Sequence, residues 1–187
     1  MENILTRLEN EYLQDLKINE KYQIAWQHHP ELYNNMFVRG EGGRRVLQLP
    51  SIFRRIQQLI SDKIIPYNFT ILDVFCGDGL FLQSIKEKFP NCNAYGVDVY
   101  KTEWKAYKTV TDSGVKMYRI PVQKLIDTPI DNPPDLIMMM NSYRAFKEGR
   151  DDNELESNSY SVPISIEKID KWIQSNAKYF IWEQTVR

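Results

Sequence analysis

Two glycines and two aspartates in the middle of the chain have the types and spacing of a nucleoside-binding site. An apolar run, residues 71–75, leads into Cys76-Gly77-Asp78-Gly79, and a helical pattern follows. The two glycines permit a tight turn and let a ligand lie close to the backbone. Asp98 ends the next apolar run, 21 positions after Gly77, where a carboxylate can accept hydrogen bonds from both hydroxyls of a ribose. The pattern predicts a site for a nucleoside cofactor.

The residues around this turn distinguish between nucleoside cofactors. A dinucleotide fingerprint needs glycine or alanine at its sixth position, where this chain has Leu82. Asp73 adds a carboxylate that would repel a pyrophosphate but can hold an ammonium group, directly or through water. The sequence has no GxxxxGK[ST] phosphate loop. These features favour a cofactor with a zwitterionic amino-acid group and disfavour an NAD-dependent reductase.

The elements that position these residues follow the alternation of an α/β protein. Strands are predicted at 70–75, 94–98, 116–120, 135–140 and 178–183, and helices at 79–89, 101–112, 122–127, about 143–148 and 165–177. Such alternation implies a mostly parallel sheet covered on both faces, and right-handed crossovers make it doubly wound. We expect about five strands in the order 3-2-1-4-5, with no obvious C-terminal β-hairpin. Ligands in such sheets bind beyond the carboxyl ends of the strands, where the order reverses.

The first third of the chain is predicted to be a helical segment, residues 1–66, in front of a cofactor-binding core, residues 67–187. Apolar residues recur at helical spacing over residues 2–18. A second helix is predicted after Pro50-Ser51, because serine is a favoured cap, and Pro66 is expected to end it.

These motifs resemble those of a known enzyme family. Residues 71–82 and 94–99 look like the first two cofactor motifs of the Rossmann-like, S-adenosylmethionine-dependent methyltransferases. The alternation of elements from 70 to 183 is similar to that family's core, so the resemblance covers about 60% of the chain. It implies a Rossmann-like fold, S-adenosyl-L-methionine as cofactor and S-adenosyl-L-homocysteine as product. The family core usually ends with two further strands, which are not predicted after the fifth strand here. Either the sheet is truncated or the N-terminal helices cover that edge, and an uncovered edge would favour a homodimer.

The resemblance also implies roles for individual residues. Asp73 would help to hold the methionine amino group, Asp98 would bind the ribose hydroxyls, and Val99 would pack on the adenine. Val122-Gln123 would flank the adenine, and Asn141 would face the transferred methyl group. The predicted cofactor-binding residues are Asp73, Phe75, Cys76, Gly77, Asp78, Gly79, Asp98, Val99, Val122, Gln123 and Asn141.

Departures from the family pattern indicate which kind of molecule accepts the methyl group. Pro121 stands where many members have an acidic residue beside the adenine. The fourth strand ends in Asn141-Ser142-Tyr143 rather than the Asn/Asp-Pro-Pro-Tyr/Phe of enzymes that methylate base or amide nitrogens. The formal net charge is -1, whereas a dedicated nucleic-acid binder needs surplus cations. We therefore expect methyl transfer to a small molecule or saccharide, with oxygen favoured, and leave a nucleic-acid partner open but disfavoured.

Further candidates for substrate chemistry lie outside the glycine motif. His28 and His29 are candidate general bases because histidine titrates near neutrality, although a surface pair is the plain alternative. A glycine-rich basic loop, residues 38–45, suits a carboxylate or phosphate, or is simply an exposed basic loop. The predicted catalytic residues are His28, His29, Asn141 and Tyr143, and the predicted anion-binding residues are Arg39, Arg44 and Arg45.

Two other functions stay open on the sequence alone. A basic face between Arg39 and Arg55 would suit a methyltransferase for RNA or protein, and a catalytically inactive cofactor-binding subunit is the second alternative. Cys76 and Cys92 have no metal-binding spacing, which predicts reduced thiols and no metal site. The polar N-terminus and the lack of a long apolar run predict no membrane span and a cytoplasmic protein.

Overall fold

A five-stranded sheet forms the centre of the protein. The structure is a computed structural model that describes residues 1–18, 42–77, 79–98, 105–139 and 165–182. Within these ranges, the side chains of residues 15–18, 42–48 and 105–108 are not described. The strands are β1 Thr70–Val74, β2 Asn93–Asp98, β3 Lys116–Arg119, β4 Leu136–Met138 and β5 Tyr179–Ile181. Neighbouring strands are parallel, and their order is β3-β2-β1-β4-β5. The predicted doubly wound α/β sheet is confirmed.

Helices cover both faces of this sheet. Within the described residues they are α1 Glu2–Ile18, α2 Gly42–Ser61, α3 Leu80–Lys88, α4 Lys105–Asp112, α5 Val122–Ile126 and α6 Ile166–Asn176. Core residues of α1, α5 and α6 pack on one face, and those of α2, α3 and α4 on the other. In β1, Leu72 and Val74 join the first core and Ile71 joins the second, as expected for a parallel sheet buried on both sides.

The N-terminal helices share these cores with the strands. Leu5 and Leu8 of α1 pack with Leu72, while Ile52 and Ile56 of α2 belong to the core on the opposite face. The predicted division of the chain at residue 66 stays a prediction, as does the homodimer. The predicted helix at 143–148 lies outside the described residues.

The start of α2 differs from the sequence prediction. The helix begins at Gly42 and contains Pro50, so the predicted basic loop is wrong for Gly42–Arg45, which is helical. Leu49 and Phe53, on either side of the proline, both pack against the core of this face. This packing outweighs the backbone hydrogen bond that Pro50 removes.

The end of α2 is also earlier than predicted. The helix stops at Ser61 rather than at Pro66, because Lys63 has a left-handed backbone with φ of 58°. The Ile64 N–H donates to the Leu59 carbonyl at 2.9 Å, and the Lys63 N–H donates to the Ile60 carbonyl at 3.0 Å. This is the Schellman arrangement, in which two bonds close the helix around a left-handed residue. Glycine usually marks that position in a sequence, and here it is lysine.

Helix α1 lies along the outer edge of β3. Glu9 Oε1 accepts a hydrogen bond from the Arg119 N–H at 2.7 Å, at the carboxyl end of the strand. At the other end, Lys116 Nζ lies 2.6 Å from Glu2 Oε2. The Arg119 guanidinium also lies over the Tyr12 ring, 5.6 Å from its centre. Helix and strand therefore run in the same direction, and the helix covers backbone groups at this edge.

Both cysteines are buried free thiols. Burial raises the pKa of the Cys92 thiol to about 11, so this group is protonated at neutral pH. Within the described ranges, no helix has the length and apolar character that crossing a membrane requires. The same residues contain no group of three His, Cys, Asp or Glu side chains arranged for a metal ion. The cytoplasmic location stays a prediction.

Asp135 ties the amino ends of three strands together. Its Oδ2 accepts a hydrogen bond from the N–H of Thr70, the first residue of β1, at 2.9 Å. Its Oδ1 accepts one from Lys178 Nζ at 2.6 Å, and its carbonyl accepts one from the Tyr179 N–H, where β5 begins. Because Asp135 directly precedes β4, these bonds fix the starts of β1, β4 and β5 relative to one another.

Replacing Asp135 by alanine should lower the free energy of unfolding by about 1–3 kcal/mol, because the part-buried Thr70 N–H loses its acceptor. Lys178→Ala is the matched control. It breaks the ion pair of the same carboxylate, but the lysine side chain is 62% exposed, so a loss of about 0–1 kcal/mol is expected. Urea denaturation followed by circular dichroism measures both. Equal losses would contradict the dominant role of the Thr70 bond.

Candidate functional site

The strand order of the sheet reverses at β1. From β1 the chain crosses to β2 and β3 on one side and then returns to β4 on the other side. In open α/β sheets, ligands bind in the crevice beyond the carboxyl ends of the two strands at such a reversal. The residues that directly follow β1 are therefore at the candidate site.

Three residues after β1 have left-handed backbones: Phe75 with φ of 62°, Gly77 with 57° and Gly79 with 75°. Glycine adopts this conformation readily, which confirms that Gly77 and Gly79 permit the turn. Phenylalanine does not, and a non-glycine residue held there costs on the order of 1–3 kcal/mol. The N–H groups of Phe75 and Cys76 both donate to the Val97 carbonyl, at 2.9 and 3.2 Å, so β2 holds the strained residue in place.

The glycine turn leads directly into helix α3. A hydrogen bond from the Gly79 N–H to the Cys76 carbonyl, 3.0 Å long, closes the turn. Gly79 is the N-cap of α3, and its carbonyl accepts the first helical bond, from the Gln83 N–H at 2.9 Å. The helix thus turns its N-terminus, which carries the positive end of the helix dipole, toward the carboxyl edge of the sheet. The predicted sequence of strand, glycine turn and helix is confirmed.

Asp98 joins the end of β2 to this turn. Its Oδ2 accepts a hydrogen bond from the Gly77 N–H at 2.9 Å, and the residue is only 7% exposed. The structure therefore brings the two residues that the sequence singled out by their spacing into direct contact.

Asp73 is the second buried carboxylate at this corner. It lies in β1 with 2% exposure, in register with Gly96 of β2 on one side and Met138 of β4 on the other. Among the described residues, Asp73 and Asp98 are the only buried charged side chains. Two buried carboxylates beside one turn make this corner of the sheet the candidate functional site.

Part of the segment after β3 is buried in the core. Pro121 precedes the short helix α5 in an extended conformation, and the Val122 side chain is 3% exposed within the core of α1, α5 and α6. Gln123 is half-buried. Contact of Val122 and Gln123 with an adenine stays a prediction. The Val122 side chain is buried against other core residues, so only its backbone could take part in such a contact.

Several predicted site residues lie outside the described part of the chain, and their roles stay predictions. The backbones of Arg44 and Arg45 are described and helical, so the anion-binding role proposed for them no longer has a glycine loop as its setting. Their side chains are outside the description. The other predicted residues outside it are His28, His29, Arg39, Asp78, Val99, Asn141 and Tyr143.

Sequence reasoning missed Met117 and Gly96, which pack beneath the turn. A Cβ added at Gly96 would lie 2.6 Å from Met117 Sδ and 2.9 Å from Cys76 Sγ. A Cβ added at Gly79 would lie 2.9 Å from Met117 Sδ. The signal in the sequence was Gly96 itself, because a lone glycine inside a strand often marks the close approach of another group.

Solved structures of methyltransferases match this chain. The bifunctional kinase-methyltransferase WbdD covers 75% of this chain and 29% of its own, with 14% identity and a TM-score of 0.53. The plantazolicin methyltransferase BpumL, in complex with a pentazolic desmethylPZN analog and SAH, covers 89% and 70%, with 17% identity and a TM-score of 0.49. PKMT2 from Rickettsia typhi, in complex with AdoHcy, covers 49% and 19%, with 26% identity and a TM-score of 0.38. No protein-family model and no curated protein matches the sequence.

The WbdD match shows a shared fold, and its low identity limits it to the fold. This chain spans less than a third of the length of WbdD and of PKMT2. The protein has a Rossmann-like methyltransferase fold, which it shares with WbdD, as the resemblance of its motifs implied.

Replacing Gly79 by alanine should lower the free energy of unfolding by about 1–2 kcal/mol from the left-handed backbone alone. A further loss of about 1 kcal/mol is expected because the new Cβ would meet Met117 Sδ at 2.9 Å and Val110 Cγ1 at 3.0 Å. Gly114→Ala is the matched control, with φ of 88° and a nearest contact of 3.3 Å to the flexible Lys86 side chain. Urea denaturation compares them. A loss at Gly114 as large as that at Gly79 would contradict tight packing beneath the turn.

Proposed function

We propose that this chain is an S-adenosylmethionine-dependent methyltransferase acting on a small molecule or saccharide, with an oxygen acceptor favoured. The observation that carries the proposal is the 2.9 Å hydrogen bond between the Gly77 N–H and Asp98 Oδ2 at the reversal of strand order. It joins a carboxylate suited to a ribose to a glycine turn and a helix N-terminus. A nucleoside cofactor needs these three features at one corner of the sheet.

The buried groups fit S-adenosylmethionine better than a dinucleotide. Asp98 suits the two ribose hydroxyls, and Asp73 adds a second negative charge, which suits an ammonium group. The Asp73 carboxylate would repel a pyrophosphate. Leu82, fully buried in the core that α3 shares with the sheet, occupies the position where a dinucleotide fingerprint has glycine or alanine. The residues present therefore fit a cofactor that carries an amino acid in place of a pyrophosphate.

In this proposal, the chain's own residues bind the cofactor and orient it. When bound, S-adenosylmethionine supplies an electrophilic methyl group on a sulfonium sulfur. Asp98 accepts hydrogen bonds from hydroxyls, and the backbones of Gly77 and Gly79 allow a close approach. Asp73 attracts an ammonium group, and the N-terminus of α3 favours a carboxylate. Alignment of the two reactants is the main contribution that such a site makes to a displacement at a methyl group.

The proposed acceptor rests on the sequence. A net charge of -1 and the Asn141-Ser142-Tyr143 ending favour a small molecule or saccharide over a nucleobase nitrogen. An oxygen nucleophile benefits from a base, and the histidine pair remains the proposed source. The residues proposed to act on the acceptor are His28, His29, Asn141 and Tyr143, with Arg39, Arg44 and Arg45 proposed to bind an anionic group.

Calorimetric titration of the purified chain with S-adenosylmethionine, S-adenosylhomocysteine and NAD(H) tests the proposed cofactor. We expect micromolar affinity for the two sulfur nucleosides and no binding of NAD(H). Absence of binding of both sulfur nucleosides would contradict the proposal. If the chain binds the sulfur nucleosides but transfers no methyl group to panels of small molecules, saccharides, RNA and proteins, an inactive cofactor-binding subunit is favoured. Salt-sensitive methyl transfer to RNA would instead favour an RNA methyltransferase.

Asp98→Ala should raise the Kd for S-adenosylhomocysteine by at least about tenfold, because hydrogen bonds to a charged group contribute about 1.5–3 kcal/mol. Asp62→Ala is the matched control, since this aspartate is exposed in the turn after α2, before β1 begins. It should leave the Kd unchanged. Calorimetry below the unfolding temperature of each variant measures both, and an unchanged Kd for Asp98→Ala would rule out the ribose-binding role.

A further inference from the structure

We infer that Met117 is a positioning residue for the glycine turn and, through the turn, for the cofactor. Met117 lies in β3, two strands away from β1, yet its side chain reaches the turn that follows β1. Its effect on the turn follows from geometry alone. Its effect on affinity rests on the proposed function.

Gly96 opens the path that this side chain takes. It lies in β2, in register with Met117 of β3 on one side and Asp73 of β1 on the other. An added Cβ would come within 2.6 Å of Met117 Sδ and 2.9 Å of Cys76 Sγ, so a side chain here would fill the space that both sulfurs use. Because Gly96 has none, Met117 Sδ crosses β2 and comes within 4.0 Å of Cys76 Sγ.

The same methionine supports the other end of the turn. An added Cβ at Gly79 would lie 2.9 Å from both the Sδ and the Cε of Met117, and 3.0 Å from Val110 Cγ1. The end of the thioether thus packs directly under the N-cap of α3. Met117 contacts the turn at Cys76 and beneath Gly79, while Asp98 holds its middle through the Gly77 N–H. Together with the hydrogen bonds that the Phe75 and Cys76 N–H groups donate to the Val97 carbonyl, these two groups hold the turn above the sheet.

Truncating Met117 would leave a void under the turn. Protein interiors are close-packed, and a void is only partly filled by relaxation of its surroundings. Settling of the turn would move the Gly77 N–H relative to Asp98. Methionine suits this place because it is unbranched and flexible and passes over a bare glycine, whereas leucine is branched and one atom shorter. We therefore expect alanine to disorder the turn and leucine to restore part of its order.

Amide hydrogen exchange tests the effect on the turn without any ligand. In Met117→Ala, the amides of Gly77 and Gly79 should exchange about tenfold faster relative to the amide of Ile137, in the inner strand β4 between β1 and β5, in the same variant. The control is Leu59→Ala, which opens a core site, 1% exposed, near the end of α2. It should accelerate all three amides by a common factor. A common factor in Met117→Ala as well would overturn the inference.

The affinity for S-adenosylhomocysteine tests whether Met117 positions the cofactor through the turn. We expect the Kd to rise about tenfold in Met117→Ala and about threefold in Met117→Leu, and to stay within about twofold in Leu59→Ala. An unchanged Kd in Met117→Ala, with a wild type that binds, would overturn the positioning role. If the wild type itself binds neither sulfur nucleoside, the proposed function fails, and hydrogen exchange alone decides whether Met117 positions the turn.

Discussion

The hydrogen bond from the Gly77 N–H to the Asp98 carboxylate joins two strand ends that are 21 residues apart in the chain. It requires β1 and β2 to be parallel and in their observed register, so that both strands end at the same level. The same turn holds Gly77 in a left-handed backbone, with φ of 57°. In return, the hydrogen bond fixes a buried carboxylate that a sheet alone would not hold. The rest of the site is arranged around this contact.

Opposite ends of the sheet are held by different means. At the amino end, Asp135 forms hydrogen bonds with the first residue of β1 and with Lys178 and Tyr179 at the start of β5. These bonds hold the strands together without a strained backbone conformation at Asp135. At the carboxyl end, the chain holds Phe75 in a left-handed conformation that costs free energy. The hydrogen bonds that the Phe75 and Cys76 N–H groups donate to the Val97 carbonyl, and the packing of the Phe75 ring against the core, offset this cost. The strained Phe75 backbone thus lies at the end of the sheet where a ligand would bind.

Much of the fold was predictable because its signals are local. Apolar runs identified the five strands, and the Gly77-Asp78-Gly79 turn with Asp98 identified the corner between β1 and β2. The end of α2 was missed because lysine occupies its left-handed position, and its start was missed because core packing outweighs Pro50. Met117 was missed for a different reason. Its contact with the turn depends on the register of three strands, which no single stretch of sequence contains.

The cover that α1 provides for β3 has a consequence for the order in which the chain folds. Glu9 and Arg119, whose groups form one of its hydrogen bonds, are separated by 110 residues. At a synthesis rate of about 5–20 residues per second, the first helix waits on the order of 5–20 s before its partner strand is made. During that interval the apolar stripe with Leu5, Leu8 and Tyr12 can meet β1 and β2 but not yet β3. The last step that seals this edge is therefore a long-range contact, which makes folding slow relative to the formation of the helix itself.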